Sequence, residues 1–515
     1  MNSNRLFRSV VTVLLWCVAA GGEHVLAATY TVSNSGIPDQ GDPNRHGSLQ
    51  WVLNQVGSAL ATVVLPNDSN NTSYRIGTSR NIVVPANVNL VFQSGAVITF
   101  QSTNSTLKIF GSIEAALQQI FDASPGQVRF QGNDTSVILD PARQYRIALI
   151  KEVYPQWWGA TAAPGVPESL ITCRDNCNPA KNLQAFRAAF LAFPTKVTVP
   201  AGTYVLSGEW RLDFQEIPDA FVGLSFNVSG MGAEDGTTLI QESGSSATQF
   251  VGIYGNYPTR FWQDPKFRGF KILNPKRIGL KIQNPLVRVS DLRIESIPAS
   301  GVGIEIEPNS HLCRLEQISL YGPGPSSFAA SDFDPDDPKL SSGLKSPGGS
   351  LSIMLSRFGA TSFDIGINLF GRDDIGGFGA WRILDSVIQA NRIGINIGNF
   401  LDRIHRTSPV NMIDIIGSYI ETSYSDPTYG IRLDRCWTGL ADDAHRCPYG
   451  VRIEGLYIDP KAPNAREIEI HGNAHIIDAP YHGRVYGTCD VATQIRSGTF
   501  IDDGGTEHPA PYYCK

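Results

Sequence analysis

The sequence predicts an all-β protein, built as a parallel β-solenoid with a single helix ahead of it. From residue 220 onward, short β-branched stretches alternate with turn clusters, and no helical periodicity is present over about 260 residues. A tetrapeptide of glycine, apolar, polar and apolar residues recurs through the same region. Glycine and proline number 50 and 32 of 515 residues, enough for frequent turns but below the level of a low-complexity chain.

Composition excludes several other classes of protein. Hydrophobic residues make up 42% of the chain and charged residues 17%, which excludes a disordered chain and a coiled coil. The 42 basic and 48 acidic residues give a net charge of −6, with no block of lysine or arginine. Binding to nucleic acid therefore has no electrostatic footprint, and we expect no such partner.

The N-terminus predicts export. Arg5 and Arg8 precede the apolar residues 10–20, a run too short to span a bilayer. Small residues follow at Ala27 and Ala28, where signal peptidase requires them. We interpret residues 1–27 as a cleavable signal peptide, with a membrane anchor as the alternative. The mature protein is expected to be secreted or periplasmic, with no membrane insertion; its oligomeric state is left open.

Cysteine usage agrees with an oxidising compartment. One of eight cysteines leaves with the signal peptide, and three close pairs lie in loop-like or terminal stretches where disulfides stabilise small loops. The predicted disulfide residues are Cys173 with Cys177, Cys436 with Cys447, and Cys489 with Cys514. Cys313 lies in a strand-like context and is predicted to be a buried free thiol.

Two interleaved series of residues define the solenoid repeat. The first series is the glycine that opens each tetrapeptide: Gly279, Gly303, Gly366, Gly394, Gly430 and Gly450. The second is an apolar residue that ends a strand, followed by a polar or small one: Ile294-Glu295, Leu320-Tyr321, Leu355-Ser356, Ile388-Gln389, Ile420-Glu421 and Ile458-Asp459. Spacings of this kind, with two strands per unit, predict coils that stack at about 4.8 Å. The polar residues of the second series would then form a column on one face.

The segments are assigned in chain order. Residues 28–150 form an N-terminal β-rich segment that carries the same strand-and-turn pattern. Residues 151–219 form a cap segment, whose helix over 182–193 would cover the open end of the solenoid. Residues 220–485 form the solenoid, and residues 486–515 form a disulfide-tied tail.

Three pieces within residues 150–205 carry a family resemblance. The order Tyr154-Pro-Gln-Trp-Trp-Gly-Ala160, then helix Leu183-Gln-Ala-Phe-Arg-Ala-Ala189, then Val199-Pro-Ala-Gly-Thr-Tyr-Val205 resembles the N-terminal part of the pectate-lyase-like superfamily. The resemblance implies a secreted right-handed parallel β-helix and a carbohydrate ligand. Residues 29–56 look like the opening segment of secreted bacterial β-helix proteins. The catalytic motifs of the polygalacturonase and pectate lyase branches are not found here, so no catalytic residue is carried over.

The candidate catalytic residues come instead from the predicted column. Hydrolysis of a glycosidic bond needs two carboxyl groups, about 5–5.5 Å apart for retention or 6.5–9.5 Å apart for inversion. Glu421 and Asp459 lie on adjacent coils by the repeat alignment, and Asp385, four residues before Gln389, is expected on the same face. A lyase would use Arg, Lys or Tyr as base, with Ca²⁺ or Arg neutralising a uronate. An exposed ladder of polar residues without catalysis is the alternative.

Further residues are predicted to bind substrate or metal. The candidates for binding sugar are Tyr321, Trp381 and Tyr424, whose aromatic faces can stack on pyranose rings, together with Gln389 of the predicted column. Asp373 and Asp374, in a glycine-rich loop, are a candidate Ca²⁺ site, with a plain turn as the alternative. The sequence therefore predicts a protein that binds a polysaccharide in a groove and cleaves it as a hydrolase or lyase. The alternative is a non-catalytic β-helix for carbohydrate binding, adhesion or surface structure.

Overall fold

The computed structural model describes most of the chain from residue 27 to residue 514. The described ranges are 27–33, 37–67, 73–130, 152–163, 178–192, 195–216, 226–255, 265–326, 336–370, 378–398, 410–424, 428–433, 449–472, 475–478, 483–489 and 493–514. The predicted signal peptide, the cysteines 173, 177, 436 and 447, and the candidate metal ligands Asp373 and Asp374 lie outside these ranges. None of the described helices is long and apolar enough to cross a membrane.

Helices are few among the described residues, and strands are many. The helices are α1 (Leu49–Val56) and α2 (Pro179–Leu191), with 3-10 turns at Pro155–Trp158 and Phe214–Glu216. The first strands are β1 (Ala28–Thr31), β2 (Ala61–Leu65), β3 (Ser73–Ile76), β4 (Asn81–Val84), β5 (Val88–Phe92), β6 (Val97–Phe100), β7 (Thr106–Ile109), β8 (Ser112–Glu114), β9 (Phe121–Asp122) and β10 (Val128–Phe130). They are followed by β11 (Lys196–Thr198), β12 (Gly202–Leu206), β13 (Trp210–Asp213), β14 (Asn227–Ser229), β15 (Thr237–Gln241), β16 (Gln249–Tyr254), β17 (Lys266–Leu273), β18 (Ile278–Gln283), β19 (Arg288–Glu295), β20 (Val302–Ile306) and β21 (Arg314–Tyr321).

The remaining strands continue to the C-terminus. They are β22 (Ser342–Ser346), β23 (Met354–Thr361), β24 (Ile365–Leu369), β25 (Phe378–Leu384), β26 (Val387–Asn391), β27 (Ile393–Ile397), β28 (Val410–Ile416), β29 (Tyr419–Thr422), β30 (Tyr429–Leu433), β31 (Tyr449–Glu454) and β32 (Tyr457–Asp459). The last are β33 (Arg466–Gly472), β34 (Ile476–Asp478), β35 (Arg484–Cys489), β36 (Gln494–Ser497), β37 (Thr499–Asp502), β38 (Glu507–Pro509) and β39 (Tyr512–Tyr513).

The strands stack into long parallel sheets, and the chain is a parallel β-helix. A 12-stranded sheet runs from β13 to β38, and a 17-stranded sheet runs from β11 to β39. Every strand pair from β11 to β37 is parallel, because each strand pairs with its counterpart one coil later. The parallel β-helix implied by the family resemblance is confirmed by this topology.

Each coil has three faces. Face A is the 12-stranded sheet. Face B comprises β25, β28, β31 and the first three residues of β17, β19, β21 and β23, and face C comprises β26, β29, β32 and the last four residues of those same long strands. The large sheet therefore bends within its long strands, so that faces B and C meet at an angle.

Residues with left-handed backbone mark the three corners. Corner AB consists of Leu286, Leu312, Ser352, Ala380, Met412 and Gly450, all with φ between 52° and 68°. Corner BC consists of Gly269, Asp291, Gln317, Arg357, Asp385, Gly417 and Gly455. Corner CA includes Asn274, Ser296, Ser362 and Ala390. The strand registers place each corner residue over the corresponding residue of the next coil. One left-handed residue turns the chain while the flanking strands keep pairing.

The recurring glycine is required by close packing between coils and not by a turn. It is the second residue of the six face A strands from β18 to β30, and a Cβ there would meet a backbone carbonyl oxygen of the next coil, at 2.8 Å for Gly279 and 2.5 Å for Gly394. The side chains of Ile294 and Ile420 fill the space inside. The predicted series is wrong at two points, because it omits Gly343, which holds the same position in β22, and includes Gly450, which lies at corner AB.

The second predicted series is confirmed in five of its six members. Leu320, Ile388, Ile420 and Ile458 each pack on a face A glycine, as Ile294 does. Leu355-Ser356 is wrong, because Leu355 lies on face B in register with Leu315. Ala360-Thr361 takes its place, with Ala360 packed on Gly343. Because alanine is small, the apolar position at residue 360 is hard to recognise in the sequence.

The N-terminal segment is built in the same way. Three parallel sheets, β1-β2-β5-β8, β3-β6-β9 and β4-β7-β10, form three faces of short coils, and α1 packs against their first strands. Its apolar core joins that of the long β-helix in one cluster, which includes Trp157 and Trp158. Helix α2 is present at the predicted position, but coils precede it, and a capping role for it is not confirmed.

The C-terminal end continues the sheets beyond the predicted boundary at 485. Strands β35, β36 and β37 extend both sheets, and β38 and β39 then turn back and pair antiparallel with β37 and β36. Cys514 forms a disulfide. Its pairing with Cys489 stays a prediction, because the Cys489 side chain is outside the described residues. Cys313 is a buried free thiol as predicted, and burial raises its pKa to about 12.

Candidate functional site

The outer side of face C carries the predicted polar column. Tyr321, Thr361 and Gln389 succeed one another in strand register, and Glu421 and Asp459 face each other on β29 and β32. Gln389 follows Ile388, whose register partner Ile420 precedes Glu421. At about 4.8 Å per coil, Tyr321 lies about 14 Å from the Glu421 backbone along the helix axis. The column can therefore follow an extended polymer.

A tyrosine hydroxyl joins the two candidate carboxylates. Tyr419 donates to Oε2 of Glu421 at 2.9 Å and also lies 3.4 Å from Oδ2 of Asp459. These two distances limit the separation of the carboxylate oxygens to about 6.3 Å. Carboxyl groups are about 5–5.5 Å apart in a retaining glycosidase and about 6.5–9.5 Å apart in an inverting one. The upper limit of 6.3 Å is therefore compatible with the retaining arrangement and below the inverting range.

A lysine and a second tyrosine complete the group. The Nζ of Lys461 lies 2.5 Å from Oδ2 of Asp459. The ring of Tyr457 stacks on that of Tyr419, with centroids 5.5 Å apart and planes 8° from parallel. Tyr457 is 61% exposed, so its ring is open to a ligand. We call Tyr419, Glu421, Tyr457, Asp459 and Lys461 the face C cluster.

The electrostatics of the face C cluster fix the protonation of its tyrosine donor and its lysine. Desolvation, the hydrogen bond to Glu421 and the nearby charge of Asp459 raise the pKa of Tyr419, so its hydroxyl keeps its proton as a donor. The hydrogen bond to Asp459 raises the pKa of Lys461, which therefore stays cationic. The face C cluster therefore places a hydrogen-bond donor and a cation beside the two carboxyl groups that glycoside hydrolysis needs.

Two predicted site residues lie elsewhere. Asp385 is exposed at corner BC with φ 47°, so the chain bends between it and Gln389, and the period-two argument that assigned both to one face fails. Trp381 is fully buried in the core, in register with Ile413, and cannot contact a polymer. The left-handed residue Ala380 directs Arg382, not Trp381, to the outside.

The other predicted binding residues remain on the surface. Tyr321 is 39% exposed, and the guanidinium of Arg293 lies 4.9 Å from its ring centroid. Gln389 is half-buried in the column. Tyr424 is 75% exposed just after β29. No group of three or more metal-ligating side chains is found in the described part of the chain, which does not include Asp373 and Asp374.

Sequence reasoning missed Tyr457 and Lys461. Tyr457 could have been found, because it aligns with Tyr419 two residues before the column position on the next coil. Lys461 follows the last residue of β32 by two positions, and nothing in the repeat fixes where a residue beyond the strand points.

A second charged pair, Arg432 with Glu469 on face A, has N and O atoms 3.4 Å apart and is almost fully buried. Its burial keeps it from being a polymer site in this conformation.

Comparisons with known proteins give matches among solved structures, each at low sequence identity. No model of a known protein family matches the chain, and no curated protein matches it significantly. Among solved structures, Geobacillus virus E2 ORF18 matches with TM-score 0.36 and 11% identity over 68% of this chain and 56% of its own. PfbA, a surface adhesin of Streptococcus pneumoniae, matches with TM-score 0.38 and 9% identity over 70% and 95%. The catalytic unit of a GH87 alpha-1,3-glucanase from Streptomyces thermodiastaticus matches with TM-score 0.27 and 12% identity over 95% and 70%. The chain spans little more than half the length of the viral protein, and likeness at this level assigns no activity.

Proposed function

We propose that the protein is an exported glycoside hydrolase that binds an extended polysaccharide along face C and cleaves it at the face C cluster. The observation that carries the proposal is the single hydroxyl of Tyr419, which contacts Glu421 at 2.9 Å and lies 3.4 Å from Asp459. This hydroxyl holds the two carboxyl groups at a separation suited to a double displacement. Residues 1–27, the predicted signal peptide with two arginines and a short apolar run, support export.

The charges assign a role to each carboxyl group. Asp459 forms an ion pair with Lys461 and is assigned as the nucleophile that attacks the anomeric carbon. Glu421 is the general acid that gives its proton to the glycosidic oxygen as the carbon–oxygen bond breaks. Glu421 then accepts a proton from water, whose oxygen attacks the anomeric carbon and releases Asp459. The configuration of the sugar is retained because the carbon is inverted twice.

Hydrolysis fits the face C cluster better than elimination. A lyase needs a base with a pKa near the working pH to remove a proton from the sugar carbon. Desolvation and the hydrogen bond to Glu421 raise the pKa of Tyr419, and the hydrogen bond to Asp459 raises that of Lys461. Both groups hold their protons more firmly than usual, which makes them poor bases.

A second function, sugar binding without cleavage, is favoured by one observation. Tyr457 and Tyr424 are 61% and 75% exposed, and Tyr457 stacks on Tyr419. Exposed aromatic faces beside hydrogen-bonding groups make a sugar-binding platform whether or not the carboxylates react. The two functions share one ligand class and differ in whether product is released.

Release of reducing ends from a panel of neutral and acidic polysaccharides tests the proposal. The wild-type protein is expected to depolymerise at least one of them, and Glu421→Gln is expected to lose that activity with an unchanged unfolding midpoint. Asp385→Asn is the matched control, because this exposed acid lies at corner BC, away from the cluster, and should keep full activity. Activity that survives Glu421→Gln would contradict the assignment. A wild type that binds a polymer but releases neither reducing ends nor unsaturated product supports the binding function instead.

A further inference from the structure

We propose that the middle of face C is a trough that binds an uncharged stretch of polysaccharide and leads it to the face C cluster. The inference rests on the proposed function and names the class of its substrate. Five uncharged residues from three successive coils form the floor, and we call them the face C trough: Ser319, Gly359, Thr361, Val387 and Gln389. They point outward, because the residues between them, such as Leu320 and Ala360, are buried in the core.

The face C trough lies between larger side chains. Two columns in strand register cross it. The first column runs through Arg293, Ser319, Gly359, Val387 and Tyr419. The second column runs through Tyr321, Thr361 and Gln389 toward Glu421. Each column has long side chains at its ends and smaller ones between them. Arg293 and Tyr419 are four coil spacings apart, about 19 Å at about 4.8 Å per coil.

Gly359, at the centre of the trough, is not required by the packing of the coils. Its backbone is that of an ordinary strand residue, and a Cβ there would come no closer than 3.3 Å to an atom outside its chain neighbours. At Gly394, by comparison, a Cβ would meet a carbonyl oxygen at 2.5 Å. Ser319 and Val387 carry a Cβ at the same register position on the coils to either side. A glycine inside a strand weakens it, and often marks the place where a ligand approaches the backbone closely.

The polar groups of the face C trough are open to a ligand. The hydroxyls of Ser319 and Thr361 and the side-chain amide of Gln389 make no hydrogen bond to any other residue that the structure describes. All three side chains are half-buried at the surface of face C. A sugar hydroxyl donates and accepts hydrogen bonds, and each of these groups does the same. They therefore match a polymer whose polar groups are hydroxyls.

The cations that flank the face C trough are paired with acids of the protein. The Nζ of Lys271 lies 3.0 Å from Oε2 of Glu295, which also pairs with Arg293. At the other end, Lys461 pairs with Asp459. A carboxylate on the polymer would have to compete with a protein acid for each cation, and it would pass the acids of the cluster as a like charge. A polymer without charge meets neither cost.

Binding to the Glu421→Gln protein, measured by calorimetry, tests the class of substrate without cleavage. The probes are dextran, pullulan and hydroxyethyl cellulose, each beside a carboxymethylated form of the same polymer. At least one uncharged polymer is expected to bind, and its carboxymethylated form is expected to bind at least tenfold more weakly. Equal affinity for both forms, binding of the charged forms alone, or no binding of any uncharged probe would overturn the proposal.

Gly359→Leu, made in the same protein, tests the floor of the trough. The added side chain would rise from the floor, so the affinity for the uncharged polymer is expected to fall at least tenfold. Ser356→Leu is the matched control, because this half-buried residue lies on face B of the same strand, and its affinity should change less than twofold. The unfolding midpoints of the two variants separate loss of contact from loss of fold. Equal losses of affinity in both, or no loss in either, would overturn the proposal.

Thr361→Val tests the hydrogen bonding of the trough without a change of shape. The hydroxyl has no partner among the described residues, so the unfolding midpoint should not fall, whereas the affinity is expected to fall about threefold. Unchanged affinity would contradict the role of this hydroxyl. The trough and the hydrolysis fail separately: a wild type that binds but releases no reducing ends contradicts the catalytic pair, and a Gly359→Leu variant of the wild type that binds and cleaves fully contradicts the trough.

Discussion

Substituting Gly394 by alanine tests the packing rule that builds face A. The added Cβ would lie 2.5 Å from the carbonyl oxygen of Gly430 and 2.7 Å from Cγ2 of Ile420. The oxygen belongs to the backbone of β30, so it cannot rotate away as a side chain could, and β27 and β30 must separate. Overpacking of a tight interior costs about 1–3 kcal/mol, against a gain of about 0.4–1 kcal/mol from the stiffer unfolded chain. The net loss would then lie between about 0 and 2.6 kcal/mol, and because backbone must move we expect about 2 kcal/mol.

The assay is urea unfolding followed by circular dichroism, with Gly244→Ala as the matched control. Gly244 has no atom within 4 Å of its ideal Cβ, so its alanine variant should be neutral or slightly more stable. The two variants make the same chemical change and differ only in the space around it. If Gly394→Ala unfolds at the same urea concentration as Gly244→Ala, close coil stacking is not the reason for the recurring glycine.

Two further predictions concern a buried histidine and the bridging tyrosine. Burial lowers the pKa of His475 from an ordinary 6.5 to about 4, and neither ring nitrogen has a hydrogen-bond partner among the described residues. The unfolded chain therefore takes up a proton first as pH falls, and stability is lost between pH 6.5 and about 4, by about 3 kcal/mol in all. His475→Phe should flatten this part of the curve of unfolding free energy against pH, and an unchanged curve would show that other groups cause the acid loss. Tyr419→Phe keeps the stacked ring but removes the bridging hydroxyl, so kcat should fall about 10- to 100-fold with KM nearly unchanged. Tyr424→Phe is its control, and equal effects from the two would remove the special role of Tyr419.

The β-helix could be predicted from the sequence because its rules are local and repeated. In the six face A strands from β18 to β30, the second-position glycine packs on the apolar residue of face C, as Gly394 and Ile420 do, so each series supports the other. The alignment failed at Ser356 because β23 contains three buried apolar residues, with Leu355 before the bend and Phe358 and Ala360 after it. Leu355 is more conspicuous in the sequence than the correct residue, Ala360.

The candidate site was only partly predictable for the same physical reason. Glu421 and Asp459 were found, because strand register alone brings them together. Asp385 and Trp381 were misplaced, because left-handed residues at Asp385 and Ala380 shift the alternation of side chains. Such corners accept aspartate or alanine as well as glycine, so composition does not reveal them.

The anomeric configuration of the first product, followed by proton NMR during hydrolysis, tests the pairing of Glu421 with Asp459. The oxygens of these two carboxyl groups lie no more than about 6.3 Å apart, because Tyr419 contacts both. The wild-type protein is therefore expected to release product with the configuration of the substrate retained, and Glu421→Gln is expected to release none. Product of inverted configuration would require a second carboxyl group farther away, and it would contradict the pairing of Glu421 with Asp459.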